Sequence, residues 1–152
     1  MKDNSLLKLG GTCAVLLGIT GALASLTYLL LPADQRLGVP AARILPSIAQ
    51  GSMLLNLQFL ELTLMGVFGL AVVPALSELV RAENAGWVRW TSNLALVGYA
   101  VTAVSSFFSF GRLPGIAAAY VAGEAATQAA LTPIWRSSFD LHGLWGYGAV
   151  GL

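Results

Sequence analysis

Few residues in this sequence can do chemistry, and the first to consider is Glu61. It follows Asn56 and Gln58, and it is the only charged residue between positions 53 and 77. If this segment crosses a membrane, a buried carboxyl group indicates a proton or ion pathway, because an unpaired charge in lipid is costly. Such a pathway needs a second polar group, for which Asn93 and a few serines and threonines are the candidates. The alternative places residues 53–60 at the membrane surface, with Glu61 near the beginning of the buried helix and stabilised by its positive end.

His142 is the only histidine, and it opens the apolar run "HGLWGYGAVGL". A histidine ring nitrogen near a membrane-helix end can ligate haem or a chlorophyll-type pigment. No second histidine exists for a bis-histidine haem, and Asp140 does not share its helical face. In the alternative interpretation, His142 is a polar residue that anchors a helix end. We expect no other cofactor and no metal site.

Enzymatic chemistry has little support in the remaining residues. The sequence contains no Gly-rich phosphate loop, no nucleophile elbow and no pair of cysteines or histidines at metal-binding spacing. Cys13 is the only cysteine, so it cannot form an intramolecular disulfide. The eight lysines and arginines are scattered singly and the net charge is +1, which argues against a nucleic-acid partner. We therefore expect a protein that is not an enzyme.

The elements that must position these residues are membrane helices. Hydrophobic residues make up 57% of the 152 residues, charged residues only 10%, and the mean hydropathy is +0.76. A soluble domain carries about 25% charged residues, and a chain of this length cannot hide so many apolar side chains from water. The composition predicts an integral protein of the cell membrane whose partner is the lipid bilayer.

Three uncharged or nearly uncharged stretches are long enough to span a bilayer as helices, at about 20 residues each. They cover residues 9–31, 53–77 and 90–111. A signal peptide is the alternative for the first, but its apolar run exceeds the roughly 7–15 residues of a signal peptide core. The predicted fold is an all-α polytopic bundle that forms a single membrane domain over residues 1–152.

The C-terminal third predicts two further helical segments. Residues 116–131 are alanine-rich and lie between Pro114 and Pro133, so we expect an interfacial helix there. A fourth transmembrane helix is expected to begin near Leu141 and to continue beyond residue 152, because the last 12 residues extend only about 18 Å as a helix. The alternative is a short tail lying at the membrane surface.

Small residues recur every four positions along two of the spans. Such spacing lets two helix backbones approach closely, which supplies much of the attraction between helices in lipid. The functional interpretation is a docking face for another membrane protein, and the alternative is packing within the chain. The residues are Gly10, Ala14, Gly18 and Ala22 in the first span and Gly98, Thr102 and Ser106 in the third.

Membrane orientation follows from the positively charged residues that flank the spans. Lys2, Lys8, Arg81 and Arg89 lie on the N-terminal side, in a short tail and a short loop. Four arginines lie on the other side within longer connections. Because the positive-inside rule gives most weight to short loops, we expect a cytoplasmic N-terminus.

Three segments carry a resemblance to a known group of proteins. "SLLKLGGTCAVLLGITGALASLTYLLLP", "LPGIAAAYVAGEAATQAAL" and "HGLWGYGAVGL" resemble uncharacterised multi-pass membrane proteins of bacteria. The resemblance implies more helices than are present here, and it supplies no activity and no functional residues.

These patterns support three hypotheses about function. The first is a non-catalytic accessory or assembly subunit of a larger membrane complex, partnered by other membrane protein chains. The second is a small oligomeric transporter or proton-coupled protein that uses Glu61 and Asn93. The third is a subunit that binds a pigment or haem through His142.

Overall fold

The structure is a computed structural model that describes residues 4–36, 39–82 and 84–140, with only the backbone of 137–140. Within these ranges the chain is helical and contains no strand. The elements in chain order are α1 (Ser5–Leu30), a 3₁₀ turn (Ala33–Gln35), α2 (Ala41–Ala49), α3 (Met53–Val80), α4 (Ala85–Ala122) and α5 (Ala125–Asp140). The all-α fold is therefore confirmed, whereas His142 and the expected fourth span lie outside the described residues.

Three of the helices, α1, α3 and α4, are long and apolar enough to cross a membrane, as predicted. The last two begin at capped N-termini, which explains where they start. The Ser52 hydroxyl accepts a hydrogen bond from the Leu55 amide at 3.2 Å, and the Asn84 side chain accepts one from the Trp87 amide at 3.1 Å. Helix α3 ends at Val80 and α4 begins at Ala85, so the connection between them is short.

Helix α3 lies in the middle of a row, with α1 on one side and α4 on the other. Each neighbour packs antiparallel to α3, and α1 and α4 make far fewer contacts with each other than with it. In the most apolar window of each helix, 44% of α3 is buried, against 17% of α1 and 22% of α4. The outer faces of α1 and α4 are therefore available to lipid or to another protein.

Glycines allow α3 to approach both neighbours at backbone distance. A Cβ atom added to Gly66 would lie 2.6 Å from the backbone nitrogen of Ala103, and one added to Gly69 would overlap the ring of Tyr99. On the other side, a Cβ atom on Gly10 of α1 would overlap the side chain of Ala75. Since helix association in lipid depends on close van der Waals packing, these three contacts hold the row together.

One end of the row is covered by a second layer that we call the cap. The cap consists of the 3₁₀ turn, α2, the first two turns of α3, residues 113–122 of α4, and α5. Its apolar core contains Leu31, Ala41, Ile44, Leu45, Ile48, Leu55, Phe59, Leu113, Ala117, Tyr120 and Trp135.

Polar side chains fix the cap to the ends of α1 and α3. The Gln35 amide donates to the Ser47 hydroxyl at 2.8 Å, and its carbonyl oxygen accepts from Ser52, which caps α3. Arg36 donates from its guanidinium to the carbonyl oxygens of Leu29 and Leu31, both at 3.0 Å. These bonds satisfy carbonyl groups that the end of a helix leaves free.

Helix α4 is longer than the predicted span over 90–111 and divides the predicted interfacial helix over 116–131. With 38 residues it extends about 57 Å, well beyond the hydrocarbon layer of about 30 Å. Residues 116–122 belong to α4, Gly123 adopts an extended backbone, and α5 takes up the remaining residues from Ala125. The alanine-rich segment is thus two helical pieces that meet in the cap.

Proline was expected to bound this segment, yet Pro114 lies inside α4 and Pro133 inside α5. A proline inside a helix costs about 3 kcal/mol. Burial of Leu113, Ala117 and Tyr120 in the cap offsets that cost, since a buried large apolar side chain contributes about 1.5–3 kcal/mol. The helix ends only where Gly123 interrupts it.

The row predicts opposite effects for the same substitution at two glycines. Gly66→Ala places a methyl group against the backbone of α4, so we expect a loss of about 1–3 kcal/mol in unfolding free energy. Gly18→Ala meets no atom within 4 Å and should be neutral or stabilising by up to about 1 kcal/mol. Thermal unfolding in detergent measures both variants, and equal effects would contradict the arrangement.

Candidate functional site

Glu61 is buried between α1 and α3 and is only 6% exposed. Its carboxyl oxygen Oε1 accepts a hydrogen bond from the Thr27 hydroxyl of α1 at 3.0 Å. The two residues are 34 positions apart in the sequence, so the antiparallel packing of the helices brings them together. This bond is the central feature of the candidate site.

The site lies near the cap end of the row. Thr27 is three residues before the end of α1 at Leu30, which is about 5 Å along the helix axis. Glu61 is the ninth residue of α3, about 12 Å beyond the first one. The field at a helix N-terminus falls off within the first turn, so the positive end of α3 does not stabilise this carboxyl group.

Gln58 lies one turn before Glu61 on α3 and faces the same neighbour. It is 9% exposed, and its oxygen Oε1 has no hydrogen-bond partner. The second carboxyl oxygen of Glu61, Oε2, also has none. Side chains three positions apart on a helix are neighbours, so two unsatisfied acceptor oxygens share one buried region. A buried polar atom without a partner costs about 1–3 kcal/mol, and more if it is charged.

No basic side chain of the described residues forms an ion pair with Glu61. Across residues 4–36, 39–82 and 84–136, the ion pair found is Glu78 with Arg81, at 3.7 Å on the exposed end of α3. The carboxyl group of Glu61 therefore has a hydroxyl partner but no opposite charge beside it.

A cavity of about 410 Å³ adjoins the candidate site. It lies between α1 and α3 and is lined by Gly21, Ser25 and Tyr28 from α1 and by Gln58 and Met65 from α3, among others. Gln58 thus borders both the cavity and the buried carboxyl group. The cavity extends toward the cap end of α1, which is the end nearer to Glu61.

Asn93, the other residue expected in a polar pathway, is exposed and lies far from Glu61. The hydroxyl oxygens of Ser77 and Ser92 are 2.5 Å apart, which places Asn93 beside the opposite end of α3. From Glu61 to Ser77 is about 24 Å along the helix. Asn93 instead lines a separate cavity of about 680 Å³ together with Glu78, Arg81 and Arg89. The structure does not bring Glu61 and Asn93 together.

Of the four residues predicted to form a packing face on α1, only one packs against another helix of the protein. Gly10 is buried against α3, whereas Ala14, Gly18 and Ala22 are exposed. The face of α1 that packs on α3 contains instead Cys13, Thr20, Ala24 and Thr27. Three of the four predicted residues thus remain open to the surroundings.

The predicted small-residue face of α4 is used inside the protein. Gly98, Thr102 and Ser106 are all buried, and the Thr102 hydroxyl donates to the Gly98 carbonyl oxygen at 2.9 Å. For these three residues the structure places the packing within the chain. It leaves none of them on the surface to meet a partner.

Sequence reasoning missed Thr27, Gly66 and Gly69. The two glycines are three positions apart in the second span, a spacing that places them on one helix face and that signals close packing. Thr27 gave no local signal, because its partner lies on another helix.

Comparisons with known proteins add no relative. No protein-family model matches the chain, and no curated protein and no solved structure matches it either. Function must therefore be argued from the geometry described above.

The Thr27–Glu61 bond predicts a stability effect at Thr27. Thr27→Val keeps the shape of the side chain but leaves both carboxyl oxygens unpaired, so we expect a loss of about 1–3 kcal/mol. Thr12→Val is the matched control, because the exposed Thr12 hydroxyl bonds only to Lys8 of its own helix. Thr27→Ser should retain most of the stability in a denaturation series. If both valine variants lose the same unfolding free energy, the Thr27–Glu61 bond does not stabilise the fold.

Proposed function

We propose that this protein is a non-catalytic accessory or assembly subunit of a larger membrane complex, and that it docks a partner helix on the outer face of α1. The observation that carries the proposal is the exposed stripe of small residues on this helix. The stripe consists of Ala14, Gly18, Ala22 and Ser25.

The stripe supports docking because other glycines of the same protein lie where two helices pack closely. At Gly10, Gly66 and Gly69 the absence of a Cβ atom permits contact between helices. Gly18 has no atom within 4 Å of the position where its Cβ would lie. Small residues in a membrane helix allow a partner backbone to approach closely, and a helix open on this side offers the partner room.

The row arrangement supports the same proposal. Only 17% of the most apolar window of α1 is buried in the chain, although this helix packs along α3 from Gly10 to Thr27. A partner lying along α1 would extend the row by one more helix. It would bury the small-residue stripe in the way that α3 buries Gly10.

The transport hypothesis obtains less support from the geometry. Glu61 is buried as a pathway residue would be, but Asn93 lies at the opposite end of the row, beside the turn between α3 and α4. The pigment hypothesis depends on His142, which lies outside the described residues.

The three apolar helices are compatible with a membrane-embedded protein. We further propose that the membrane is the bacterial cell membrane and that the N-terminus is cytoplasmic. In favour of this orientation, Arg81 and Arg89 flank the short turn between α3 and α4, on the same side as Lys8.

The docking proposal predicts that a bulky residue on the stripe removes the partner. We expect Gly18→Leu to reduce recovery of co-purifying chains from gently solubilised membranes by about tenfold, which corresponds to about 1.4 kcal/mol of helix association. The thermal stability of the isolated protein should not fall, because no atom apart from the nearby backbone of α1 itself lies within 4 Å of the Cβ position.

Gly111→Leu is the matched control, because Gly111 is an exposed glycine of α4 that also has no atom within 4 Å of its Cβ position. This variant should keep the partner. Purification of the unsubstituted protein as a lone monomer, or equal loss of the partner in both variants, would contradict the proposal.

A further inference from the structure

Two buried oxygen atoms, one helix turn apart on α3, have no hydrogen-bond partner: Oε1 of Gln58 and Oε2 of Glu61. We propose that they form, with the hydroxyl of Thr27, a binding site for one Na⁺ ion. The inference does not depend on the docking partner proposed above.

The charge of the site supports a cation. A carboxylate that is 94% removed from solvent needs an opposite charge, because an isolated buried charge is otherwise strongly destabilised. The Thr27 hydroxyl supplies one hydrogen bond and no charge. A single positive charge at the site would balance a single carboxylate, whereas a divalent ion would leave an excess of charge in the same buried region.

The charged groups of the surrounding helices do not supply that charge. Lys8 is near the opposite end of α1, and Arg36 is occupied by the last carbonyl groups of that helix. Arg43 of α2 is exposed, as is Asp34 of the 3₁₀ turn. Arg112 of α4 is exposed and lies over the Phe108 ring at 5.0 Å. None of these residues forms an ion pair with Glu61, and Tyr28 is the titratable group that lines the neighbouring cavity.

The chemistry of the three oxygen atoms fits this ligand class. Carboxylate, amide and hydroxyl oxygens are the ligands that hard cations prefer. The Thr27 oxygen keeps acceptor capacity while its hydrogen is directed to Glu61. A bound Na⁺ would therefore satisfy both acceptor oxygens that lack a partner.

The cavity beside Gln58 provides a route to the site. Ser25 and Tyr28 line it from α1, and these residues are within two turns of the cap end of that helix. A cation can therefore approach Gln58 from the membrane surface without crossing the apolar middle of the row.

The test measures thermal unfolding of the purified full chain in detergent. The NaCl concentration is raised at constant ionic strength, with choline chloride as the replacement salt. The series is run on the unsubstituted protein, on Glu61→Gln and on Glu78→Gln, the last being a control on an exposed glutamate of the same helix.

A Na⁺ site predicts that the unfolding equilibrium constant falls about tenfold for each tenfold rise in Na⁺ above its dissociation constant. This dependence should persist in Glu78→Gln and disappear in Glu61→Gln.

A second variant keeps the test decisive if Glu61→Gln does not fold. Gln58→Leu removes one ligand oxygen and retains the carboxyl group, so the midpoint of the Na⁺ dependence should move by about tenfold in Na⁺ concentration. Stability that does not respond to Na⁺ would overturn the proposal. So would a response that is unchanged in both Glu61→Gln and Gln58→Leu.

Discussion

The closeness with which α3 approaches its two neighbours is the constraint on which the rest of this structure depends. In lipid, apolar side chains gain little by leaving their surroundings for one another, so helices associate where their backbones can touch. Gly66 and Gly69 let α3 approach α4 closely, and Gly10 of α1 lets α1 approach α3 closely. Because α3 uses both of its sides, the three helices form a row and not a closed bundle.

Two features of possible function follow from the row. Its edge leaves the small residues of α1 uncovered, and its interface between α1 and α3 places Glu61 against Thr27. The cap then covers the end of the row and is fixed there through Gln35 and Arg36. A partner surface and a buried polar site are therefore consequences of the same packing.

The sequence was sufficient to predict the parts of the fold that depend on composition and length. Long uncharged segments predicted the three apolar helices, because the thickness of a bilayer sets their length. The end of α4 was not predictable in this way. Its passage through Pro114 depends on the burial of Leu113 and Ala117 in the cap, a tertiary contact with α2 that no local pattern reveals.

The candidate site shows the same limit at the level of single residues. Glu61 stood out because a charge in an apolar segment is visible in the sequence, but its partner Thr27 is not. Small-residue spacing identified four positions on α1 and three on α4 equally well. Only the packing distinguishes the buried Gly98 from the exposed Gly18, because spacing describes a helix face and not what lies against it.

Cysteine cross-linking across the helix row tests the central claim most directly, in a background with Cys13→Ala. Ser77→Cys with Ser92→Cys joins α3 to α4 at side chains that already touch, and the account predicts rapid disulfide formation there. Gly18→Cys with Val104→Cys pairs exposed positions of α1 and α4, and no intramolecular disulfide should form. Rapid bridging of α1 to α4, or none between α3 and α4, would contradict a row with α3 at its centre.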